Sequence, residues 1–307
     1  MQFLSEDVVQ SLLTYDELIP AVERALIDLS AGKIQQPVRS IVWVPQHNGA
    51  FGQMPAVDGD LIGVKLVTFF QENRNLPTHQ AIIQLFSAHT GEPLVAMDGR
   101  LITEMRTAAV SAVATRKLAR EDARVLAILG SGVQARSHLL ALRRVRDFPE
   151  IRVWSRTAHN AQRFADEFGL SVALTAEAAV RGADVVISVT STREPLVRGA
   201  WIGDRALVCA VGSVGPKNRE LDDAALASDI VVESREAAMA ESGDLIGAGV
   251  TVMAELGEVL AGAPLPGRGP WTIFKSLGVG ATDLAAARIV WERWGAGKRQ
   301  EVHGPHN

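Results

Sequence analysis

The sequence predicts an α/β protein: a doubly wound parallel sheet beside a second, α+β domain. Three observations predict it. A short apolar run at 125–129 leads into a glycine-rich turn and then a helical pattern. From there to about residue 275, apolar strands alternate with helical segments, which implies a parallel sheet covered on both faces. Before the turn, short runs rich in Val, Ile, Leu and Phe follow one another, separated by Gly, Pro, Asn or Asp.

The chain opens with helices over 5–31. Ser5-Glu6-Asp7 and Thr14-Tyr15-Asp16-Glu17 put capping and acidic residues at two helix starts. Val22, Ala25, Leu26 and Leu29 then recur at helical spacing up to Gly32. Segments 37–44, 49–57, 61–70 and 80–86 read as strands of one sheet. Thr90-Gly91-Glu92 reads as a hairpin turn before a strand at 93–97, and 99–118 is a helix.

Three cations stand out here. Arg39 lies in the first strand segment, Lys65 within Val64-Lys65-Leu66-Val67, and Arg106 on the Ala-rich helix. A buried cation needs a partner, because desolvation disfavours its charged form. Together the three would make a carboxylate site, with Arg as a planar fork and Lys as a point charge. Arg39 alone reads equally well as a solvated charge. Spacing does not show that the three converge. His79, at a strand start, fits either a structural role or a proton donor.

Gly130-Ser131-Gly132-Val133-Gln134-Ala135 has the order of a phosphate cradle. Gly130 permits the tight turn, Gly132 the approach of a pyrophosphate, and Ala135 close helix–strand packing. The helix N-terminus then faces the anion. This is the Rossmann arrangement. The second strand, 151–154, ends in Ser155-Arg156-Thr157, where an NAD site normally carries Asp or Glu. Hydroxyls and a guanidinium suit a 2′-phosphate, so NADPH is favoured and NADH possible, with Arg156 as a mere surface charge the alternative.

A helix at 158–168, a strand at 171–174, a helix from Ala176 and strands at 183–187, 206–211 and 229–232 continue the pattern. Ligands bind beyond the carboxyl ends of such strands, which makes Val189, Thr190, Ser191, Thr192, Val211 and Ser213 neighbours of cofactor and substrate. Residues 233–241 read as a helix, 262–270 as a Pro/Gly-rich turn and 271–275 as a strand. Lys275 to Gly280, including Gly278, opens a helix to about Trp294, with glycines able to approach the cofactor. The tail from Lys298 is polar and expected to fray.

Whole-chain properties exclude several classes. The 307 residues carry a net charge of -4, so no basic field recruits nucleic acid. The one cysteine, Cys209, excludes an intrachain disulfide and reads as a small buried hydrophobe. There is no basic-then-apolar leader and no apolar stretch near the roughly 20 residues of a membrane span, so no membrane partner and a cytoplasmic protein are expected.

Several runs together resemble one family over nearly the whole chain. They are Lys65-Leu66-Val67-Thr68, Met97-Asp98-Gly99, Arg106-Thr107-Ala108-Ala109-Val110-Ser111-Ala112, the 130–135 turn, Arg219-Glu220-Leu221-Asp222, Glu241-Ser242-Gly243-Asp244, Ala254-Glu255-Leu256-Gly257-Glu258 and Phe274-Lys275-Ser276-Leu277-Gly278. The chain is similar to the ornithine cyclodeaminase/mu-crystallin family. The resemblance implies a homodimer. A substrate-binding and dimerisation domain spans 1–118, joined by a C-terminal helix at about 281–307, and a Rossmann domain spans 119–280. It also implies that Arg39, Lys65 and Arg106 converge on the substrate carboxylate. Thr107, the 130–135 turn, Ser155-Arg156-Thr157 and Val189-Thr190-Ser191-Thr192 would line the cofactor.

One departure is informative. Cyclodeaminases and alanine dehydrogenases of this family carry an Asp after the glycine of the Val-Gly segment, to handle the substrate's amino group. Here Val211-Gly212-Ser213-Val214-Gly215-Pro216 contains none, and Val214 aligns with it. That favours the ketimine-reductase branch. The expected reaction is NAD(P)H-dependent reduction of Δ1-pyrroline-2-carboxylate or Δ1-piperideine-2-carboxylate to L-proline or L-pipecolate. Lys65 and Arg106 would be the catalytic pair, Arg39, His79 and Ser213 further substrate contacts, and no metal is expected. The proton would come from water, Lys65 or His79, and Ser213 would hold a water. Rival readings are a dehydrogenase or cyclodeaminase acting on a linear amino acid, and a mu-crystallin-like ligand-binding protein without activity.

Overall fold

The computed structural model describes residues 2–264, 267 and 269–302. In chain order its elements are β1 (Gln2–Leu4), α1 (Glu6–Leu12), α2 (Tyr15–Ser30), β2 (Ser40–Val44), β3 (Gly49–Asp58), β4 (Leu61–Phe70), β5 (His79–Ser87), β6 (Pro93–Asp98), α3 (Arg100–Leu118), β7 (Val125–Leu129), α4 (Val133–Leu142), β8 (Glu150–Trp154), α5 (Ala158–Phe168), β9 (Ser171–Val172), α6 (Ala176–Val180), β10 (Val185–Ser188), β11 (Leu207–Ala210), α7 (Asp223–Leu226), β12 (Asp229–Val232), α8 (Arg235–Glu241), α9 (Gly243–Ala248), β13 (Ala254–Glu255), α10 (Leu256–Leu260), β14 (Thr272–Lys275) and α11 (Gly280–Val302). They fall into two compact units. One runs up to Arg106 and resumes at Val279; the other spans Thr107–Gly278. The division lies inside α3, and α11 belongs to the first unit.

The first unit is built on a six-stranded sheet in the order β1-β6-β5-β4-β3-β2. Strands β2 to β6 pair with one another in antiparallel succession, and β1 pairs with β6 in parallel. Alternation along β4 buries Leu61, Gly63 and Lys65 on one face. Two glycines bring α11 close to that sheet. A Cβ on Gly63 would lie 2.7 Å from Leu284 Cδ1, and one on Gly280 would lie 3.0 Å from the Pro55 carbonyl. The strand expected over 37–44 begins only at Ser40, where pairing with Gln53 starts. Pro37, with no N–H to give, sits in the preceding connection, and so does Arg39.

The second unit carries an eight-stranded, all-parallel sheet in the order β13-β12-β14-β11-β10-β7-β8-β9. Its core is aliphatic: Leu126, Ile128, Val186, Ile187, Val208, Val231 and Ile273 are fully buried. The order of strand addition reverses between β7 and β10, β8 and β9 lying on one side of β7 and β10 on the other, the switch point at which open sheets of this kind bind ligands. At the opposite end of the sheet Asp184 anchors the start of β7 by accepting hydrogen bonds from the Arg124 and Val125 N–H groups at 2.7 and 2.9 Å.

Several boundaries differ from the sequence reading. The strand at 171–174 shortens to two residues, and the helix expected over 233–241 starts at Arg235. Glu233 is instead diverted to loop hydrogen bonds, and Ser234 caps the helix through Ala237 N–H. The tail expected to fray from Lys298 is helical to Val302; residues 303–307, and 265, 266 and 268 of the Pro/Gly turn, lie outside the described residues. Among the described residues no helix is long and apolar enough to cross a membrane.

Candidate active site

The first unit concentrates charge where a core would normally be apolar. Lys65 on β4 is 2% exposed and Arg106 on α3 is 4% exposed. Between them stands Asp283, in the first turn of α11 and 1% exposed. Its Oδ2 lies 2.7 Å from Lys65 Nζ, and its Oδ1 accepts from Arg106 Nε at 2.9 Å. The close seating of α11 permitted by Gly63 and Gly280 places it there. Arg39, half-buried before β2, is near enough for its charge to act on both Lys65 and Asp283. The three cations singled out from sequence therefore share one region.

These charges are not balanced. Burial first, then the neighbouring Arg106 and Arg39, outweigh the attraction of Asp283 and bring the Lys65 ammonium down to about 7. Asp283 is held below the usual carboxylate range by Arg106, Lys65 and Arg39 despite its burial. Arg106 Nη1 is buried with no hydrogen-bond partner among the described residues. A buried unpaired guanidinium donor is costly. An arriving carboxylate would satisfy it, with Lys65 offering a second donor.

His79 starts β5 opposite Phe69 of β4, on the sheet face that carries Lys65. Burial, then the charges of Lys65 and Arg106, lower it to about 4. Its imidazole is neutral at neutral pH, so it donates or accepts a hydrogen bond there but holds no spare proton.

The second unit bears the phosphate cradle. Gly130 has φ +129, donates its N–H to the Trp154 carbonyl at 2.8 Å, and would bring a Cβ to 3.0 Å from Val189. Gly132 is the N-cap of α4 in extended conformation, with no side-chain cap. A Cβ on Gly132 would meet nothing within 4 Å, so the helix start faces open space. Val133 is exposed, Gln134 half-buried and Ala135 fully buried against the sheet. Buried Gln134 Oε1 and Thr190 Oγ1 have no hydrogen-bond partner among the described residues. Open N–H groups at a helix start beside unpaired polar atoms fit a dinucleotide pyrophosphate and its adjoining groups.

The remaining cofactor candidates lie in this unit as well. Ser131 Oγ donates to Ser155 Oγ at 3.0 Å, joining the ends of β7 and β8, while Arg156 and Thr157 are exposed. Val189, Thr190, Ser191 and Thr192 follow β10, Val211 follows β11, and Thr107 is buried at the head of the unit. Gly278, at φ +80, is fixed with Leu277 by two N–H donations to Glu233 Oε2 at 2.7 and 2.8 Å.

Ser213 is 2% exposed and its Oγ donates to the Thr192 carbonyl at 3.1 Å, so its proton is already engaged. Its backbone is gripped by a buried ionic cluster that the sequence did not suggest. Lys275 Nζ donates to the Ser213 carbonyl at 2.8 Å and to Glu220 Oε1 at 2.7 Å, and lies 3.0 Å from Asp244 Oδ2. Glu220 Oε1 accepts from Ser213 N–H at 3.1 Å. Cys209 is buried and its thiol is pushed up to about 12, which leaves it the inert hydrophobe expected. Among the described residues no cluster of His, Cys, Asp and Glu could hold a metal ion.

Asp283 is the functional candidate that sequence reasoning missed. An acid in a helix's first turn reads as a partner of the helix dipole, not of cations more than 170 positions away.

Comparisons with known proteins agree with this anatomy. Residues 1–298 match the model of the ornithine cyclodeaminase/mu-crystallin family. The ketimine reductase mu-crystallin of Rattus norvegicus is 44% identical, over 96% of this chain and 98% of its own. The Thermococcus litoralis Δ1-pyrroline-2-carboxylate reductase, solved with NADH and L-proline, superposes with a TM-score of 0.91 at 35% identity, covering 97% of this chain and 98% of that one. An archaeal alanine dehydrogenase dimer with bound NAD superposes equally well, TM-score 0.91 at 32% identity, over 97% of each chain.

Proposed function

The chain belongs to the ornithine cyclodeaminase/mu-crystallin family, and we propose that it is a ketimine reductase that takes a cyclic 2-imino acid, Δ1-pyrroline-2-carboxylate or Δ1-piperideine-2-carboxylate, to L-proline or L-pipecolate. The observation that carries this reading is the buried clamp of Lys65 and Arg106, with Arg106 Nη1 left unpaired. The similar ketimine reductase mu-crystallin and Δ1-pyrroline-2-carboxylate reductase support it. The lack of any Asp in 211–216 argues against handling of a free ammonium group.

In this mechanism Arg106 and Lys65 bind the substrate carboxylate, with Arg39 adding charge from the segment before β2. Holding that group fixes the face and distance of the imine carbon, which is the main catalytic service the protein gives. A bound nicotinamide supplies the hydride. The cradle at Gly130–Ala135 would hold its pyrophosphate, and the ends of β10 and β11 would line its ring. An imine that arrives protonated needs no acid. For a neutral imine Lys65 is the protein group with a proton to give at neutral pH, because His79 is already neutral.

NADPH as the preferred cofactor is part of the proposal and rests on Ser155-Arg156-Thr157, which offers hydroxyls and a guanidinium where a ribose-binding carboxylate would stand. So is a homodimer. Edge strand β2 exposes Ile41, Val42 and Trp43, the last at 67%. Such an apolar edge invites pairing unless a partner covers it. The dimeric archaeal relative supports this. A cytoplasmic setting completes the proposal.

The test is NADPH consumption with Δ1-pyrroline-2-carboxylate, with NADH and L-ornithine run in parallel. Oxidation by the imine and none with ornithine is expected. Proline formed from ornithine would overturn the reading, along with the significance given to Val214.

A further inference from the structure

We propose that Asp283 is the positioning residue of the carboxylate clamp: it occupies the Nε edge of Arg106, so that Nη1 is the donor offered to the ligand, and its other oxygen holds Lys65 Nζ beside that donor. This rests on the reading that the ligand is a small imino acid carboxylate.

The geometry makes the case. Each carboxylate oxygen of Asp283 serves a different cation: Oδ1 accepts from Arg106 Nε at 2.9 Å, and Oδ2 meets Lys65 Nζ at 2.7 Å. A guanidinium offers a carboxylate either its Nε side or its outer fork. With the Nε side taken, the incoming anion is left the outer fork, where buried Nη1 stands without a partner. Asp283 thus selects the direction from which the substrate is gripped. It comes from α11, whereas the cations come from β4 and α3, so it also sets their spacing.

Its second role is electrostatic. The charged and titratable groups facing Lys65 are Asp283 from α11, Arg106 from α3, Arg39 from the segment before β2 and His79 from β5; β3 places uncharged Met54 opposite it. The two arginines oppose a second positive charge, and His79 is neutral. Among the described residues Asp283 is therefore the group that favours the ammonium form of Lys65. Lys65, at about 7, is the member of this set that titrates near neutrality. Carboxylate binding should fall as pH rises through that value, since the neutral amine gives up its charge.

The test uses the full chain and pyrrole-2-carboxylate, a planar unreactive analogue of the cyclic imino acid, titrated calorimetrically from pH 5.5 to 8.5. Wild type should bind and lose affinity above pH 7. Asp283→Asn should move that loss down by at least about one pH unit, the effect expected for removing an adjacent opposite charge. Near pH 7.5 its affinity should be about tenfold lower. Asp283→Glu keeps the charge but displaces the arginine, so it should bind more weakly at every pH with the wild-type pH of loss. The 13Cε resonance of Lys65, assigned by its absence from Lys65→Met, gives a ligand-free readout of the same titration. Identical Lys65 titrations in wild type and Asp283→Asn would overturn the electrostatic role. Wild-type affinity in Asp283→Glu would overturn the positioning role, and that variant serves if Asp283→Asn does not fold. A wild type that fails to bind the analogue while Asp283→Asn shifts the Lys65 titration would sink the imino acid reading and leave Asp283's hold on Lys65 standing.

Discussion

Two lysines of this protein are buried to within 2% of full exclusion, and their surroundings push them in opposite directions. Lys65 sits with one carboxylate, Asp283, and two arginines, and its ammonium is brought down to about 7. Lys275 sits with two carboxylates, Glu220 and Asp244, and its ammonium is held above the usual lysine range in spite of burial. The first cluster carries excess positive charge and an unsatisfied donor. The second turns its hydrogen bonds onto backbone, fixing Ser213 N–H and C=O and the Glu220 and Leu221 N–H groups. A buried ion cluster with an open position is built to receive something. One whose bonds close on the chain holds a loop in place.

The same substitution should therefore have opposite consequences at the two positions. Lys275→Met would leave Glu220 and Asp244 buried side by side without a cation. Breaking a buried pair in this way costs about 3–5 kcal/mol. A large fall in urea midpoint or Tm is expected, and a Lys275→Met chain as stable as wild type would show that the cluster is not the closed anchor described above. Lys65→Met instead removes one of an excess of cations, and Asp283 keeps Arg106. Its stability should match or exceed wild type, while kcat/KM for the cyclic imine falls by about 2–3 kcal/mol, roughly a hundredfold, with NADPH binding unchanged.

The pH dependence of stability sharpens the contrast. Lys65 titrates at about 7 in the folded chain, well below the unfolded value of about 10.4. Between those two pH values the unfolded chain binds a proton that the folded chain does not. Stability from this group therefore rises with pH across that window. For Lys275 the folded value is raised, so its contribution is complete below about 10.4 and is lost as pH rises from there through the folded value. Urea unfolding at pH 7 and pH 9 should show a rise that Lys65→Met removes. A rise that persists in that variant would assign it to another group.

Much of this was legible in the sequence, for identifiable reasons. Lys65 stood out because a lysine flanked by apolar residues in Val64-Lys65-Leu66-Val67 is hard to place in solvent, and the glycine turn stood out because it follows a buried strand. The same logic applied to Ile273-Phe274-Lys275 would have found the second buried lysine. Its partners at Glu220 and Asp244 lie in short loops and helices whose packing has no local signature. Asp283 was hidden for a like reason. Only the tertiary approach of α11, allowed by Gly63 and Gly280, reveals what it faces. Strand β1 escaped because three residues show no periodicity, and its pairing partner β6 is about ninety positions away.

A smaller effect is expected from Gly132→Ala. The added Cβ meets no protein atom within 4 Å, and the backbone there is extended, so stability should change little. If the proposed pyrophosphate site is right, the methyl would occupy its space, and the Kd for NADPH should rise about tenfold. An unchanged Kd would remove the glycine turn from the cofactor site.

Arg156 gives the smallest effect and a third kind of charge. Unlike the two lysines it is exposed, at the end of β8, with water as its default partner. Desolvation costs it nothing, and salt screens whatever it attracts. If it pairs with a 2′-phosphate, Arg156→Ala should raise KM for NADPH by about 1 kcal/mol, near fivefold, and leave KM for NADH alone. That difference should shrink as ionic strength rises from 50 to 500 mM. The clamp at Lys65, shielded from solvent, should keep most of its grip on the substrate over the same range. A loss for NADH equal to that for NADPH would make Arg156 a general surface charge. A clamp as salt-sensitive as Arg156 would mean that the first unit opens to water far more than its burial implies.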